Sequence, residues 1–300
     1  MFTILLYDGI TALILAGIPA YILWRFRRNK PHDSSWDGLV ISVLVLVWCA
    51  VFFGSFIEPK LLTVKKYDVH LGDTGGRLRL AVISDIHLGG YRDELWAKKI
   101  VERVNTLKAD AVIIDGDVVT TPTGIDELAP FRDLQSTYGS FASLGNWDYR
   151  IGAVDVRKRL GSYGVKMLWN RSVKVGSGAK ELRLIGLDDF IYGQPDWDTA
   201  MSEVPADAVK VLVVHNPDFA PQAELHGINL AVTGHTHCGQ IRLPLIGPVP
   251  PLPTHIGRQF DCGLFDYGQL KLFITPGVGE FGPRARFFNP AEISVLDISY

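Results

Sequence analysis

Two long apolar segments open the chain. Residues 39–57 carry no charged side chain, and at ~1.5 Å of helical rise per residue they can cross a hydrocarbon core ~30 Å thick. A buried helix of a soluble protein normally keeps a polar face, which this segment lacks. Residues 9–24 form a second apolar segment, which reaches spanning length only when residues 3–7 and Asp8 are included. Because no Lys or Arg precedes it, a cleaved signal peptide is disfavoured. The pattern predicts two transmembrane helices, and we place a membrane anchor at residues 1–60.

The basic residues around these helices predict an orientation. Those of the loop between the helices are Arg25, Arg27, Arg28 and Lys30. Those that follow the second helix are Lys60, Lys65 and Lys66. Because cytoplasmic loops carry the excess of positive charge, the loop is expected inside and both chain ends outside. The chain is thus expected to be a multi-pass protein of the cell inner or plasma membrane, with its C-terminal part on the extracytoplasmic face.

Residues 67–300 show the alternation of a layered α/β domain. Short apolar segments such as 77–85 and 111–117 are typical of buried strands. Between them, residues 93–107 place their apolar side chains on one helical face, as a core-facing helix does. Apolar strands that alternate with helices indicate an α/β fold with a layered core. We therefore predict one α/β domain over residues 67–300.

The segment 241–268 interrupts this alternation. It has five prolines between Pro244 and Pro253, and proline is excluded from the interior of helices and central strands. We predict a long structured loop. Its apolar side chains either form a lip that faces the bilayer or pack on their neighbours as in an ordinary loop. These side chains are Leu243, Leu245, Ile246, Val249 and Leu252.

Composition and charge limit the partners. The formal net charge is −2 and no long basic tract occurs, so nucleic acid is not expected as a partner. The three cysteines are too few for a disulfide framework. Cys238 and Cys262 can pair in an oxidising compartment, but no feature of the sequence requires it, and we expect free thiols.

Most apolar strands of the domain end in a residue type that binds metals. These residues are Asp85, His87, Asp117, Asn146, His215, His235 and His237. In layered α/β folds ligands bind beyond the carboxyl ends of the strands, so the seven side chains are expected to gather in one place. Imidazole and carboxylate together suit Mn, Fe and Zn. Seven ligands exceed the usual four of one zinc ion and suit two cations that share a carboxylate. An alternative for the H-x-H pair of "GHTH" is one structural zinc bound with Cys238.

Five short motifs carry a family resemblance. "SDIHLG", "DGDVV", "LGNWD", "VVHNPD" and "GHTHCGQ" resemble the blocks of the calcineurin-like metallophosphoesterase superfamily, over residues 67–300. The closing "FFNPAEISVLDI" is similar to its membrane-associated bacterial branch, which includes phosphodiesterases and UDP-2,3-diacylglucosamine pyrophosphatases. The resemblance implies a four-layer αββα sandwich of two mixed β-sheets. It also implies tight turns at Gly116, Gly145 and Gly234.

The resemblance further implies a role for each ligand. Asp85, His87 and His237 would hold one divalent cation, and Asn146, His215 and His235 the other. Asp117 would bridge both. We expect Mn²⁺, with Fe, Zn or Mg as alternatives. A hydroxide that bridges the two cations would be the nucleophile, and the expected catalytic residues are Asn146, Asp117 and His235.

Trp147 departs from the family pattern, which has a histidine after the asparagine to protonate the leaving oxygen. An indole N–H cannot replace it as an acid, and general acid catalysis is typically worth ~10²–10⁴-fold. The departure therefore favours phosphoanhydrides or activated phosphodiesters, whose leaving groups need little protonation. Some diacylglucosamine pyrophosphatases of the superfamily also lack this histidine. Asp148 or His255 supplying the proton instead is the alternative.

The substrate itself is predicted only as a class. We expect a phosphorylated small molecule or lipid at the bilayer, contacted by Trp147, Arg284 and Arg286. The leading interpretation is a two-metal phosphohydrolase that acts on a lipid-linked or nucleotide-sugar phosphodiester or pyrophosphate. The alternatives are a phosphodiesterase of broad specificity, for example for cyclic nucleotides, and a non-catalytic metal-bound membrane scaffold.

Overall fold

The computed structural model describes residues 2–28, 34–178 and 181–300. Its first two elements are the helices α1 (Phe2–Arg27) and α2 (Ser34–Phe52). Both are long and apolar enough to cross a membrane, with candidate spans at Leu5–Arg27 and Trp36–Lys60. The prediction of two N-terminal apolar helices is confirmed. Lys30, one of the loop residues used to predict the orientation, lies outside the described residues.

The two helices form an antiparallel hairpin. The indole Nε1 of Trp48 donates to the carbonyl of Leu15 at 3.0 Å, and Arg25 pairs with Asp37 at the far end. The N-terminal end of α1 and the C-terminal end of α2 therefore lie on the same side. The C-terminal end of α1 and the N-terminal end of α2 lie at the opposite end of the hairpin.

The hairpin is joined to the rest of the chain by a short, hydrogen-bonded connection. A π-helical turn (Phe53–Ile57) and a 3₁₀ turn (Glu58–Lys60) follow α2. The buried carboxylate of Glu58 accepts the backbone N–H groups of Phe288 and Asn289. A buried carboxylate that accepts two N–H groups fixes the junction in place. The strand β1 (Leu62–His70) begins directly after it, so regular structure starts before the predicted boundary at residue 67.

Two six-stranded mixed sheets form the body of the domain. The first has the order β1-β14-β2-β3-β4-β5, and the second the order β12-β13-β9-β8-β7-β6. The remaining strands of the first sheet are β2 (Arg77–Ser84), β3 (Ala111–Asp115), β4 (Ser140–Ser143), β5 (Lys166–Met167) and β14 (Ala291–Ser299). Those of the second are β6 (Arg171–Val175), β7 (Leu182–Gly186), β8 (Lys210–Val213), β9 (Leu230–Thr233), β12 (Gly263–Tyr267) and β13 (Leu270–Ile274). The central pairs β2–β3, β3–β4 and β8–β9 are parallel.

Helices cover the outer face of each sheet. They are α3 (Glu94–Asn105), α4 (Asn146–Ile151), α5 (Ala153–Ser162), α6 (Trp197–Met201) and α7 (Ala220–Leu225), with 3₁₀ turns at Pro122–Asp133, Pro217–Phe219 and His237–Gly239. Asp93 caps α3 by accepting the N–H of Trp96, and Asp196 caps α6 by accepting that of Thr199. Such caps satisfy N–H groups that a helix leaves free at its start.

Three apolar clusters correspond to the three layer boundaries. One lies between the sheets and contains Val82 and Ile113 of the first sheet with Val213 and Val232 of the second. A second joins the first sheet to α3 and α5, and a third joins the second sheet to α6 and α7. Strands buried on both faces are apolar at successive positions, as the sequence indicated. The predicted four-layer αββα arrangement is confirmed.

The proline-rich segment is a structured loop, as predicted, but it also contains three short strands that the sequence did not indicate. It holds a two-stranded ribbon of β10 (Arg242–Leu243) and β11 (Gly247–Pro248). It then ends in β12, an edge strand that pairs antiparallel with β13.

Candidate metal centre

The seven predicted ligands follow the carboxyl ends of five strands. In the first sheet, β2 leads to Asp85 and His87, β3 to Asp117, and β4 to Asn146. In the second sheet, β8 leads to His215, and β9 to His235 and His237. Parallel strands place their carboxyl ends at one edge of a sheet, and the packing of the two sheets brings both edges together.

Six of these residues form two groups whose ligand atoms lie within 4.8 Å of one another. The first group is Asp85, His87 and His237, and the second is Asp117, His215 and His235. The first group has the same members as the set that the family resemblance implied for one cation. The second contains His215 and His235 of the other implied set together with Asp117, the residue implied to bridge both.

Short distances also connect the two groups. His215 Nε2 lies 3.7 Å from Asp85 Oδ1 and 3.1 Å from Asp117 Oδ2. His87 Nε2 lies 3.9 Å from Asp117 Oδ2. Asp117 therefore faces an imidazole of each group, which is the position that a shared carboxylate requires.

Several buried polar atoms of the cluster have no hydrogen-bond partner within the described residues. They are Asp85 Oδ1, Asn146 Oδ1 and His215 Nε2. An unsatisfied buried polar atom costs ~1–3 kcal/mol. Carboxylate, amide oxygen and imidazole nitrogen are all ligands of divalent metals. The atoms left without partners thus fit a pair of divalent cations.

The outer nitrogens of two imidazoles are held by neighbouring groups. His215 Nδ1 donates to the backbone carbonyl of Asp115 at 2.8 Å, which leaves Nε2 facing the carboxylates. His87 Nδ1 lies 3.0 Å from the hydroxyl of Thr120, and its Nε2 faces that of His237 at 3.1 Å. Hydrogen bonds of this kind orient metal-binding histidines and select the tautomer.

Burial and charge set the protonation of the cluster. Burial lowers the pKa of His87 and of His235 to about 4 each, and lowers that of His237 well below its usual value. These rings are neutral at pH 7 and present lone pairs. Burial opposes protonation of His215 as well, but Asp117 and Asp85 outweigh it and raise the pKa of His215 well above its usual value. A cation bound at His215 would compete with this proton.

The backbone at the ligands adopts a conformation that most residues avoid. Asp85, His87, Asp117, His235 and His237 all have φ between 48° and 66°. Non-glycine residues take this left-handed conformation in only a few per cent of cases, and strain of this kind concentrates at functional sites.

Gly145 shows how closely the backbone approaches the cluster. A Cβ atom added there would lie 2.3 Å from Asp117 Oδ1 and 2.8 Å from the ring of His215. Its φ of −109° is ordinary, so the requirement for glycine is one of space. A Cβ atom added at Gly116 or at Gly234 would also lie too close to neighbouring atoms.

Trp147 lies beside the metal ligands and is anchored by its backbone. Its N–H donates to Asp117 Oδ1 at 2.7 Å. Its half-buried ring packs on Phe281, with ring centroids 4.4 Å apart. The indole thus occupies the rim of the site.

Asp148 is not placed to act as the missing acid. Burial raises the pKa of its carboxyl to about 7, but the group is fully buried. Its oxygens accept the backbone N–H groups of Val118, Val119 and Gly145. They hold the ligand-bearing turns together. His255, by contrast, lines the same cavity as the ligands.

A cavity of about 690 Å³ opens on the cluster. Its lining includes Asn146, His235 and His237 of the cluster together with the aromatic residues Trp147, Phe190 and Phe281. The proline-rich segment supplies residues 250–255 to the rim. Tyr7, in the first apolar helix, also lines it.

Only one of the five apolar residues predicted to form a lip lines this cavity. Leu252 does, while Leu243, Leu245 and Ile246 border a separate surface depression. The side chain of Leu245 is fully exposed. The predicted lip is therefore mainly proline.

The structure does not support the predicted substrate contact of Arg286. Its side chain is fully buried, and its guanidinium donates to the carbonyls of Pro276, Gly277, Gly279 and Asn289. A guanidinium saturated by carbonyls in this way supports the loop. Arg284 is exposed, but it lies over the rings of Phe56 and Tyr91 at the junction with the hairpin and does not line the cavity.

The expectation of free thiols was wrong for two cysteines. Cys238 and Cys262 form a disulfide with Cα atoms 5.0 Å apart, and Cys49 is free. The pairing also excludes Cys238 as a ligand of a structural zinc. Because Cys238 follows His237 directly, the disulfide ties the proline-rich segment to the metal centre.

The chain is similar to known phosphoesterases over most of its length. The family described as calcineurin-like phosphoesterase matches residues 78–239. An uncharacterized metallophosphoesterase of Campylobacter jejuni is 31% identical over 282 residues, which cover 91% of this chain and 73% of that protein. A transmembrane protein with metallophosphoesterase domain from Danio rerio is 29% identical, over 90% of this chain and 64% of that protein. Phosphodiesterase YaeI of Escherichia coli is 25% identical, over 75% of this chain and 84% of that protein.

Proposed function

Because the chain belongs to the calcineurin-like phosphoesterase family and is a metal-dependent phosphoester hydrolase, we propose that it cleaves phosphodiester or pyrophosphate bonds of a lipid-linked or nucleotide-sugar substrate at the membrane surface. The observation that carries the proposal is the position of Tyr7. This residue belongs to an apolar helix of spanning length, yet it lines the same cavity as Asn146 and His235. The site thus lies where a lipid headgroup can reach it.

The shape and lining of the cavity support an amphiphilic substrate. Its polar lining includes residues of the ligand cluster, and its apolar lining includes Trp147, Phe190, Phe281 and Leu252. Sites for small molecules combine apolar walls with a few placed polar groups. Here the lining also includes Tyr7 of the first apolar helix.

We assign the ligands as the two groups suggest. Asp85, His87 and His237 hold one divalent cation, Asn146, His215 and His235 hold the second, and Asp117, which faces an imidazole of each group, would be shared by both. When bound, the cations would activate water and neutralise the charge of the phosphoryl group. Mn²⁺ suits this mixture of imidazole and carboxylate. Asn146, whose amide faces the cavity, would orient a phosphoryl oxygen above the cluster.

Trp147 limits the kinds of leaving group that the site is expected to release. It stands at the sequence position where the resembled family has a histidine that protonates the leaving oxygen, and an indole supplies no proton. A phosphate that leaves from a pyrophosphate is already a stable anion. The UDP-2,3-diacylglucosamine pyrophosphatases therefore remain the branch whose chemistry fits best.

The hairpin and the disulfide support one membrane orientation. The basic residues Arg25, Arg27 and Arg28 lie at the end of the hairpin away from the phosphoesterase domain. The positive-inside tendency puts that end in the cytoplasm. Disulfides such as Cys238–Cys262 persist outside the reducing cytosol. We thus place residues 1–60 as an anchor in the inner or plasma membrane, and residues 67–300 as an extracytoplasmic catalytic domain.

A comparison of a lipid diphosphate with its soluble counterpart tests this function. The full-length protein in detergent with Mn²⁺ is assayed on UDP-2,3-diacylglucosamine, UDP-N-acetylglucosamine and bis(p-nitrophenyl) phosphate. We expect hydrolysis of all three and a higher kcat/KM for the lipid than for the soluble sugar nucleotide. Equal kcat/KM values would reject the lipid substrate, and inactivity on all three would reject the enzyme.

Substitution of two matched tyrosines distinguishes a loss of substrate contact from a general effect on the helix. Tyr7 and Tyr21 are both in α1 and are 39% and 41% exposed, but their separation of 14 positions puts them ~21 Å apart along the helix. Tyr7→Ala is expected to raise KM for the lipid several-fold, and Tyr21→Ala to leave it unchanged. The same effect of both substitutions would contradict the role given to Tyr7.

A phosphodiesterase of broader specificity is the second candidate, supported by the similarity to phosphodiesterase YaeI. In this case the anchor only locates the enzyme. Cyclic nucleotides added to the same assay decide between the two, because a broad enzyme would hydrolyse them at rates similar to those for the lipid.

A further inference from the structure

Arg150 lies one helical turn from a metal ligand. The helix α4 begins at Asn146, and residues four apart share a face of a helix. Asn146 and Arg150 both line the cavity. The side chain of Arg150 is exposed, so its guanidinium is available to a ligand in the cavity.

Aromatic residues hold the Arg150 guanidinium in place. It lies over the ring of Trp147, with its central carbon 4.8 Å from the ring centroid. Its Nε and Nη2 donate to the hydroxyl of Tyr192 at 3.0 Å and 2.7 Å. A cation fixed between two rings loses little rotamer freedom when it binds an anion.

The charge of Arg150 has no opposite charge paired with it among the described residues. No ion pair within the described part of the chain includes it, whereas Arg79, Arg92 and Arg242 each pair with a carboxylate there. Of the residues that line the cavity in the described ranges, Arg150 is the one Lys or Arg. The metal centre accounts for one phosphoryl group, which leaves this cation for a second anionic group.

We propose that Arg150 binds the phosphate next to the scissile one, so that the site selects substrates with two linked phosphates over those with one. This inference rests on the proposed function and names its substrate class more closely. A guanidinium matches two phosphate oxygens at once. The buried Arg286 and Arg284 at the hairpin junction cannot contact an anionic group in the cavity in this way.

A purely structural role is the competing explanation. Arg150 also connects Trp147 to Tyr192, and its loss would let both rings move. Such a loss would weaken every ligand of the cavity alike. If Arg150 instead binds a second phosphate, its loss would weaken only the ligands that carry this second phosphate.

Two non-hydrolysable ligands distinguish these roles. The first is methylenediphosphonate esterified with one methyl group on each phosphonate, which carries two negative charges. The second is methyl methylphosphonate, which carries one. Their affinities for the Mn²⁺-loaded full-length protein are measured by calorimetry, which requires no turnover. Arg150→Met is expected to weaken the two-charge ligand roughly ten- to hundredfold more than the one-charge ligand, as for the loss of a charged hydrogen bond.

Arg157→Met is the matched control. Arg157 also lies over a tryptophan, Trp169, at 3.8 Å, but neither residue lines the cavity. This variant should bind both ligands as the wild type does. Equal weakening of both ligands by Arg150→Met, no weakening at all, or no binding of the two-charge ligand by the wild type would each overturn the inference. Inactivity of the wild type on UDP-2,3-diacylglucosamine, UDP-N-acetylglucosamine and bis(p-nitrophenyl) phosphate alike would reject the proposed function, and the ratio of affinities would still decide the role of Arg150.

Discussion

The space beside Gly145 is the most sharply defined requirement of the metal centre. In Gly145→Ala, the added Cβ would lie 2.3 Å from Asp117 Oδ1 and 2.5 Å from the backbone nitrogen of Asp117. Ordinary contacts of a Cβ begin at 3.4 Å, so the Asp117 carboxylate must move by about 1 Å. Asp117 faces imidazoles of both ligand groups at 3.1 Å and 3.9 Å. A displacement of ~1 Å in a catalytic group can cost ~10²-fold in rate.

We expect Gly145→Ala to lose one of two bound cations and at least about a hundredfold in kcat/KM. Metal content is measured by mass spectrometry after dialysis, and activity on bis(p-nitrophenyl) phosphate. Gly161→Ala is the control, because a Cβ at this position in α5 meets no atom within 4 Å. If Gly145→Ala keeps two cations and its kcat/KM stays within threefold of wild type, the inferred packing around Asp117 is wrong.

Two further predictions concern the leaving group and the disulfide. Trp147→His should raise activity on alkyl phosphodiesters at least about tenfold and change that on p-nitrophenyl esters little, because only the alkyl leaving groups need a proton. Trp169→His, outside the cavity, is the control. An unchanged ratio of the activity on alkyl phosphodiesters to that on p-nitrophenyl esters would contradict the argument. Cys262→Ser opens a disulfide between residues 24 positions apart, and the loop-closure relation gives ~3–4 kcal/mol of stability. Its thermal midpoint in detergent should therefore fall to that of the reduced wild type, whereas an unchanged midpoint would refute the contribution.

Some features of the fold escaped sequence reasoning for identifiable reasons. The strand β1 mixes exposed and half-buried positions because it lies at an edge of its sheet, so it lacks the apolar pattern of β2 or β3. The strand β12 follows a run of prolines that hid it. Both are edge strands, where burial imposes the weakest pattern.

The residues predicted to contact the substrate show a second limit of reasoning from sequence. Arg284 and Arg286 stand close together in the sequence, yet one lies at the hairpin junction and the other is buried among carbonyls. Arg150 was missed, although its spacing from Asn146 would have placed it on the same helical face. Residue type identifies a cation, but only the packing around it decides whether a ligand can reach it.

The pattern of the sequence by itself determined the two apolar helices, the α/β alternation of the domain and the seven ligand-type residues, and the family resemblance implied the αββα layers. It did so because burial imposes a period on each element, and because ligands at the ends of parallel strands need no long-range information to be recognised. Only the tertiary structure decided the distances between the ligands across the two sheets, that Cys238 meets Cys262, and that Tyr7 borders the cavity. These contacts join segments far apart in the chain, and their geometry depends on how the sheets and the hairpin pack.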